Sequence, residues 1–141
     1  MATPDPYKGF RFRVEIQGIQ QAGFMECSSI GSHIEVVEYR EGGDIASVHK
    51  LPGKISYPDI TLKWGMTDSQ ELYDWHLQTV KGTIERKSGS VVQLDDTGTE
   101  KLRFNFFNAW PSKWDGPSYN AKGNDVSIET LTLSCDRVEK A

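Results

Sequence analysis

The chain has few cysteines, and none of them stands in a metal-binding pattern. Cys27 and Cys135 are the only two in 141 residues, and neither belongs to a CxxC pair or a Cys/His cluster. The three histidines are separated as well, and the sequence contains no HxxxH motif and no clustered set of carboxylates. Zinc and calcium sites need such groupings. We therefore expect no metal and no other cofactor, and we interpret both cysteines as small apolar side chains whose redox state the sequence leaves open.

The sequence also lacks a long hydrophobic run and an excess of basic residues. No stretch has the length and apolarity of a transmembrane helix, and the opening MATPDPYKGF lacks the hydrophobic region of a signal peptide. Synthesis in a cytoplasm without a membrane anchor is the expectation. Lysine and arginine total 16 against 20 acidic residues, a net charge of −4. This balance argues against a nucleic-acid-binding protein, because such proteins carry a basic surface that neutralises phosphates.

Alternating polar and apolar residues dominate the sequence, and this period of two predicts β-strands. The clearest segments are 10–16, 34–39, 60–66, 101–106 and 126–135, with weaker ones at 22–28 and 90–95. In the last clear segment the alternation shifts by one residue near Glu129 and Thr130, which predicts a β-bulge. About seven strands, one helix and no internal repeat predict a single domain over residues 1–141. Its expected fold is mainly β, with two packed antiparallel sheets forming a sandwich or barrel.

Residues 65–82 have helical periodicity instead. Thr67 or Asp68 is a suitable N-cap, and Gly82 is a suitable stop. One side of the helix collects the residues that we expect to pack against a sheet: Leu72, Trp75, His76, Leu77 and Val80. The acidic residues of the segment fall on the opposite side, so they cannot converge with the histidine on one substrate. We interpret the segment as a packed helix and not as an active site.

Catalysis would need a nucleophile such as Cys27 or Ser28, a histidine base and a third group that orients the base. The sequence contains no local motif such as GxSxG that would support this arrangement. We therefore predict no catalytic residue and no enzymatic activity. A small hydrolase that uses Cys27 stays an alternative.

Two segments look suited to contacts with another chain. Residues 40–59 lack clear periodicity but carry several apolar side chains, and residues 111–125 are rich in turn-forming residues. Long loops in compact domains are often functional, and exposed apolar residues often bind a partner. The predicted interface residues are Ile45, Val48, Leu51, Ile55, Tyr57, Trp114 and Tyr119. An alternative function is a monomeric β-sandwich binding module that holds a ligand with the aromatic residues Trp110, Trp114 and Tyr119.

The order of several short motifs resembles a known family. These motifs are DPYKGFRFRVEIQG, FMECSSI, KLPGKISYPDITLKWG, a helix with Leu72 and Trp75, and NDVSIETLTLSCDRVE. Together they span nearly the whole chain and resemble the inner tube proteins of contractile phage tails and of bacterial contractile injection systems. One departure is the run Ser134, Cys135 and Asp136, where family members often carry alanine, histidine and glutamate.

The resemblance implies a structural subunit, made in a bacterial cytoplasm, whose hexameric rings stack into a hollow tube inside a contractile sheath. Its partners would be further copies of itself, sheath and baseplate proteins, and DNA or protein cargo in the lumen. The resemblance favours residues 22–40 and 84–106 as the channel wall. The side chains expected to line the lumen are Glu26, Glu35, Lys87, Gln93, Lys101 and Arg103.

Overall fold

In the part of the chain that the structure describes, the fold consists of antiparallel sheets and one helix. The computed structural model describes residues 11–20, 23–40, 42, 48–65, 68–119, 121–123 and 127–141. In chain order the elements are β1 (Phe12–Ile16), β2 (Phe24–Ser28), β3 (His33–Tyr39), β4 (His49–Ser56), β5 (Ile60–Gly65), α1 (Glu71–Val80), β6 (Lys87–Leu94), β7 (Glu100–Asp115), β8 (Ile128–Ser134) and β9 (Arg137–Lys140). The predicted fold class is confirmed. The nine strands in these ranges exceed the predicted seven, because the sequence pattern does not reveal β4 or β9.

Strand β7 connects the two layers of the sandwich. Its first half pairs with β6 and β9, and β6 pairs in turn with β1, which gives the first sheet the order β1-β6-β7-β9. Its second half pairs with β8, and the second sheet continues through β5 to β2. Asn108 lies between the two halves with a left-handed backbone (φ 54°), a conformation that asparagine tolerates better than most residues.

The core lies between the inner faces of these sheets. On β5 the strict alternation buries Ile60, Leu62 and Trp64, as the period of two predicts. Other fully or nearly fully buried side chains are Ile16, Leu72, Trp75, Val91, Phe106, Ala109, Leu131 and Leu133. The register of β5 against β8 is regular from Ile60↔Leu133 to Gly65↔Ile128. The predicted bulge at Glu129 and Thr130 is therefore wrong.

Helix α1 packs against the sandwich along a narrower stripe than the sequence suggests. Leu72 and Trp75 are buried, and His76 and Leu77 are half-buried. The indole of Trp75 donates a 2.7 Å hydrogen bond to the carbonyl of Glu85. Val80 is the last residue of the helix and is 66% exposed, which differs from its predicted packing role.

The ends of the helix fit the prediction only in part. The N-cap is Gln70, and it makes no side-chain capping bond, so the predicted cap at Asp68 is wrong. The other predicted cap, Thr67, lies outside the described residues. Gly82 follows the C-terminus with φ 95°, a left-handed conformation that favours glycine, and its N–H donates to the carbonyl of Thr79.

Candidate assembly surfaces

Strands β3 and β4 form an antiparallel hairpin that we call the arm (residues 33–39 and 49–56). Within the described part of the chain, the arm forms a two-stranded sheet separate from the sandwich. It continues the β2–β5 pair: residues 29–32 lead from β2 into β3, and residues 57–59 lead from β4 back to β5. Ser29 has a left-handed backbone (φ 70°) at this junction. The arm is thus an extension of the second sheet beyond the body of the domain.

Every residue of the arm is exposed, including its large apolar side chains. Seven of these, exposed by 38–60%, are Ile34, Val36, Val37, Tyr39, Leu51 and Ile55 on the arm and Val48 immediately before β4. A lone two-stranded hairpin is marginally stable in water. Monomeric proteins also seldom leave contiguous apolar patches larger than a few hundred Å² uncovered. The arm therefore has the properties of a contact surface for another protein chain.

Both faces of the arm are apolar, because a register shift near Gly53 keeps apolar residues opposite one another. Four residues of β4, from Pro52 to Ile55, face three residues of β3, from Ile34 to Val36. A Cβ at Gly53 would lie 2.8 Å from the Cγ2 of Val37, so the close approach of the strands requires glycine. Direct pairing then places apolar side chains on each face. Ile34, Val36, Pro52 and Ile55 lie on the first, together with the Glu38–Lys50 pair, and Val37, Tyr39 and Leu51 lie on the second, beside His49.

The predicted interface residues occupy different environments. Val48, Leu51 and Ile55 are exposed at or on the arm, and Tyr57 is half-buried at its base. Ile45 lies outside the described residues. The prediction of residues 40–59 as a loop is wrong for its second part, which forms β4.

The second predicted loop is also partly a strand. Strand β7 continues to Asp115, and Trp114 faces inward, with its ring centroid 4.9 Å from that of Tyr73 on the helix. Trp114 is therefore a half-buried packing residue in this chain, and its predicted display on a loop is wrong. Trp110 is half-buried on the same strand, whereas Tyr119 is 79% exposed. The three aromatic side chains of the binding-module alternative thus differ widely in exposure.

The outer face of the first sheet carries a network of charged side chains. Arg103 donates to Glu15 (2.9 Å) and to Glu100, and Arg13 donates to Glu15 from the same side (3.0 Å). The guanidinium of Arg103 holds the pKa of both carboxyl groups below the usual range for glutamate. Val92 lies between Arg13 and Arg103 in the strand register and is fully buried, so the side chains of this network cover an apolar floor.

The outer face of the second sheet is rich in hydroxyl groups. Thr61, Thr130 and Thr132 lie on neighbouring strands of this face. Its charged groups pair with each other: Lys63 lies 3.1 Å from Glu26, and Lys113 lies 3.6 Å from Asp115. Ser134 donates to Asp59 on the same face (3.0 Å). Both outer faces are thus polar, with mutually compensating charges.

The residues predicted to line the lumen do not share one surface. Arg103 lies on the outer face of the first sheet, Glu26 lies on that of the second sheet, and Glu35 lies on the arm.

The other three predicted lumen residues lie near the ends of strands β6 and β7. Lys87 packs with its ammonium 5.9 Å from the centre of the Trp75 ring. Gln93 donates to the backbone carbonyl of Arg11 (3.0 Å), and Lys101 lies 3.8 Å from Asp95 in the β6–β7 turn. The structure therefore brings no more than part of the predicted set to any single face.

A cavity of about 240 Å³ opens between the two sheets near the base of the arm. We call it the pocket; its apolar lining consists of Phe12, Met25, Cys27, Ile30, Val91 and Phe104, with Glu26 and Gln93 as its polar residues. Burial raises the pKa of the Cys27 thiol to about 12. The thiol is thus poorly solvated and protonated at neutral pH, which is the opposite of an activated nucleophile.

Neither a metal-binding cluster nor a membrane-spanning helix is found among the described residues. Among the residues that the structure describes, no group of three or more His, Cys, Asp or Glu side chains is placed to hold a metal ion. In the same part of the chain, no helix has the length and apolarity that crossing a bilayer requires.

A two-sheet sandwich with an exposed apolar arm is typical of a structural subunit that contacts other protein chains. The sequence profile of the T4-like virus tail tube protein gp19 matches residues 8–139, so the chain belongs to this family of tail tube proteins. The resemblance noted in the sequence is thereby confirmed, and the chain is a structural tube subunit. No curated protein sequence matches the chain significantly.

Solved structures of injection particles contain similar chains. A chain in the tube-terminating cap of the anti-feeding prophage is 28% identical with a TM-score of 0.88, and the match covers 100% of this chain and 94% of the other. A chain in the extended sheath–tube complex of PVC, an extracellular contractile injection system, is 29% identical with a TM-score of 0.85, covering 96% and 91%. Hcp1 from Flavobacterium johnsoniae shares the fold at 16% identity, with a TM-score of 0.60 and coverage of 92% and 94%.

Proposed function

We propose that this chain forms hexameric rings that stack into the hollow inner tube of a contractile injection particle or phage tail. The observation that carries the proposal is the arm, whose two apolar faces are exposed in the single chain. A ring of subunits that each extend an arm to a neighbour would bury these faces. Ring closure would also pair the edges of strands β1 and β2, which have no further strand partner among the described residues and which an isolated sheet must otherwise protect.

The similar chains support partners for this tube. Because similar chains come from cap, sheath–tube and baseplate complexes, we propose a sheath around the tube and a baseplate as partners. We further propose synthesis in the bacterial cytoplasm before incorporation into the particle. The role is mechanical, and no step of it requires catalysis, a cofactor or a membrane anchor.

The lumen would be lined by one of the two polar outer faces. Of the residues predicted to face the channel, Glu26 and Arg103 stay candidates, because each projects from an outer face. Each has a partner of opposite charge, Lys63 for Glu26 and Glu15 for Arg103. A wall of paired charges would bind neither a protein nor a DNA cargo strongly, which suits a conduit through which cargo must move.

Electron microscopy and light scattering of the purified chain over a concentration series test the proposal. The wild type is expected to form rings or tubes. The double variant Val36→Ser/Leu51→Ser removes one apolar side chain from each face of the arm, and it is expected to remain monomeric with a wild-type circular dichroism spectrum. Val80→Ser is the matched control, since it changes an exposed apolar residue of the body, and it is expected to assemble like the wild type.

Two results would contradict the proposal in different ways. Tubes formed by the arm variant at wild-type concentrations would show that the arm is not the assembly contact. A wild-type monomer at every concentration that binds a small ligand saturably would favour the β-sandwich binding module instead.

A further inference from the structure

The chain carries two apolar features that do not contact each other within one copy. The first is the arm, whose face formed by Ile34, Val36 and Ile55 is exposed in all three side chains. The second is the pocket, an opening between the sheets with an apolar lining. The arm of the same chain does not fill this opening, because its side chains remain exposed while the cavity is open.

We propose that the pocket receives the first face of the arm from a second copy of this chain, with Ile55 and Ile34 as the inserted side chains. This inference rests on the proposed tube function and specifies the surface to which the arm binds. A protrusion and a recess at different places on one chain produce a head-to-tail contact. Such a contact closes into rings or continues into stacks, and both are what a tube requires.

The size of the pocket suits an aliphatic side chain. An apolar cavity of about 150 Å³ is enough to bind benzene, and this one measures about 240 Å³. One or two branched side chains therefore fit without displacing the lining. The raised pKa of Cys27 indicates that water solvates this side of the pocket poorly, as expected for a site that binds an apolar group.

The first face of the arm is the better candidate for insertion. Ile34, Val36 and Ile55 are exposed by 56–60%, more than Val37 or Leu51 on the second face. The second face is also partly covered by the ring contact between Tyr39 and His49 (6.5 Å between centroids). In addition, Ile34 pairs directly with Ile55, so the two side chains form one broad projection.

The polar surroundings of the two surfaces are compatible with the contact. Lys54 precedes Ile55 and has no ion-pair partner in the described part of the chain, while Glu26 lies at the pocket, 3.1 Å from Lys63. Ile34 and Ile55 pair near the base of the arm, and Ile30 of the same chain's pocket lies four residues before Ile34. A neighbouring copy therefore meets these two side chains when its pocket faces the base of the arm.

Disulfide trapping between two differently substituted chains tests this contact. Both native cysteines are first changed to alanine, and one preparation then receives Met25→Cys at the pocket, while the other receives Ile55→Cys. After mixing, assembly and oxidation, a 25–55 disulfide can only join two chains. The control pairs Met25→Cys with Val37→Cys, which lies on the other face of the arm. We expect the 25–55 disulfide to form at least about tenfold more than the 25–37 disulfide, because a disulfide needs Cβ atoms within about 4.5 Å.

The outcomes separate this inference from the tube function. Rings or tubes in the microscope without the 25–55 disulfide, or with equal trapping at residue 37, would overturn the pocket contact and leave the tube function standing. Absence of both assembly and disulfide would overturn both. If the alanine background does not assemble, the same test is made with native Cys27 as the pocket thiol and Ile55→Cys as the introduced one.

Discussion

The indole Nε1 of Trp64 donates a 2.7 Å hydrogen bond to the carboxylate of Glu129, its direct partner on the neighbouring strand β8. Trp64 is nearly fully buried at the centre of the second sheet. Glu129 therefore points toward the core at a position where the alternation of the strand predicts an apolar side chain. The hydrogen bond explains this exception, since a buried indole N–H needs an acceptor.

We expect Glu129→Ala to lower the free energy of unfolding by about 1–3 kcal/mol, because it leaves the buried indole N–H without an acceptor. Glu129→Gln keeps a carbonyl oxygen at the same position, and we expect it to cost less than about 1 kcal/mol. Urea unfolding at neutral pH, followed by tryptophan fluorescence, measures both values. Equal losses for the two variants would show that the carboxylate charge, and not the acceptor, is what matters.

Gly89 on β6 is a second position where the fold permits one residue type. A Cβ there would lie 2.5 Å from Cζ of Phe106 and even closer to the backbone oxygen of Glu15. We expect Gly89→Ala to lower the free energy of unfolding by about 1–3 kcal/mol or more, because neither the buried ring nor the strand can move away freely. The control Gly42→Ala has nothing within 4 Å, and we expect a change within about 0.5 kcal/mol. A Gly89→Ala variant as stable as this control would mean that β1 and β7 shift easily.

The network around Arg103 should make stability depend on pH in one direction. The pKa values of Glu15 and Glu100 are lowered by Arg103, so their contribution is present above the ordinary carboxyl range and is lost as the pH falls through the lowered values. We expect Arg103→Met to destabilise the chain at pH 7 and to have a smaller effect at an acidic pH below the lowered pKa values of Glu15 and Glu100, where both carboxyl groups are protonated. The exposed ion pair between Arg103 and Glu15 contributes less than about 1 kcal/mol to the free energy of unfolding. Methionine is chosen because it still covers Val92.

Urea unfolding at the two pH values provides the comparison. Lys113→Met is the matched control, because the ion pair of Lys113 with Asp115 is long and exposed, and it should show little effect at either pH. An Arg103→Met variant that is equally destabilised at both pH values would assign the role of Arg103 to packing alone.

The sequence predicts the body of the fold well and the arm poorly, for a physical reason. Strands with one buried face, such as β5, alternate strictly because the core selects one side. Strand β4 has no buried face in the single chain, so no core imposes an alternation of polar and apolar residues on it. Pro52 and Gly53 within the strand are residues typical of turns. The apolar residues of the arm are visible in the sequence, but their pairing depends on β3.

The candidate lumen surface could not be located from the sequence because both sheets have polar outer faces. Arg103 and Glu26 both project from a polar outer face, although they lie on different layers of the sandwich. Alternation distinguishes the inside of a domain from its outside, and it does not distinguish bulk water from the water of a channel. The orientation of each sheet in the assembly depends on contacts between copies, which a single chain does not contain.

The reactivity of Cys27 tests the remaining catalytic alternative. Its pKa of about 12 leaves roughly a thousandfold less thiolate at pH 8 than the ordinary value of 9.0 would. The stronger nucleophilicity of a more basic thiolate offsets part of this loss, so we expect labelling by a disulfide reagent to slow about 10–100-fold on folding. The measurement uses the Cys135→Ala variant, folded and in urea, with the unfolded rate as the control. Folded Cys27 that reacts as fast as the unfolded thiol, or faster, would contradict the buried thiol and restore the hydrolase hypothesis, because a nucleophile needs an accessible thiolate.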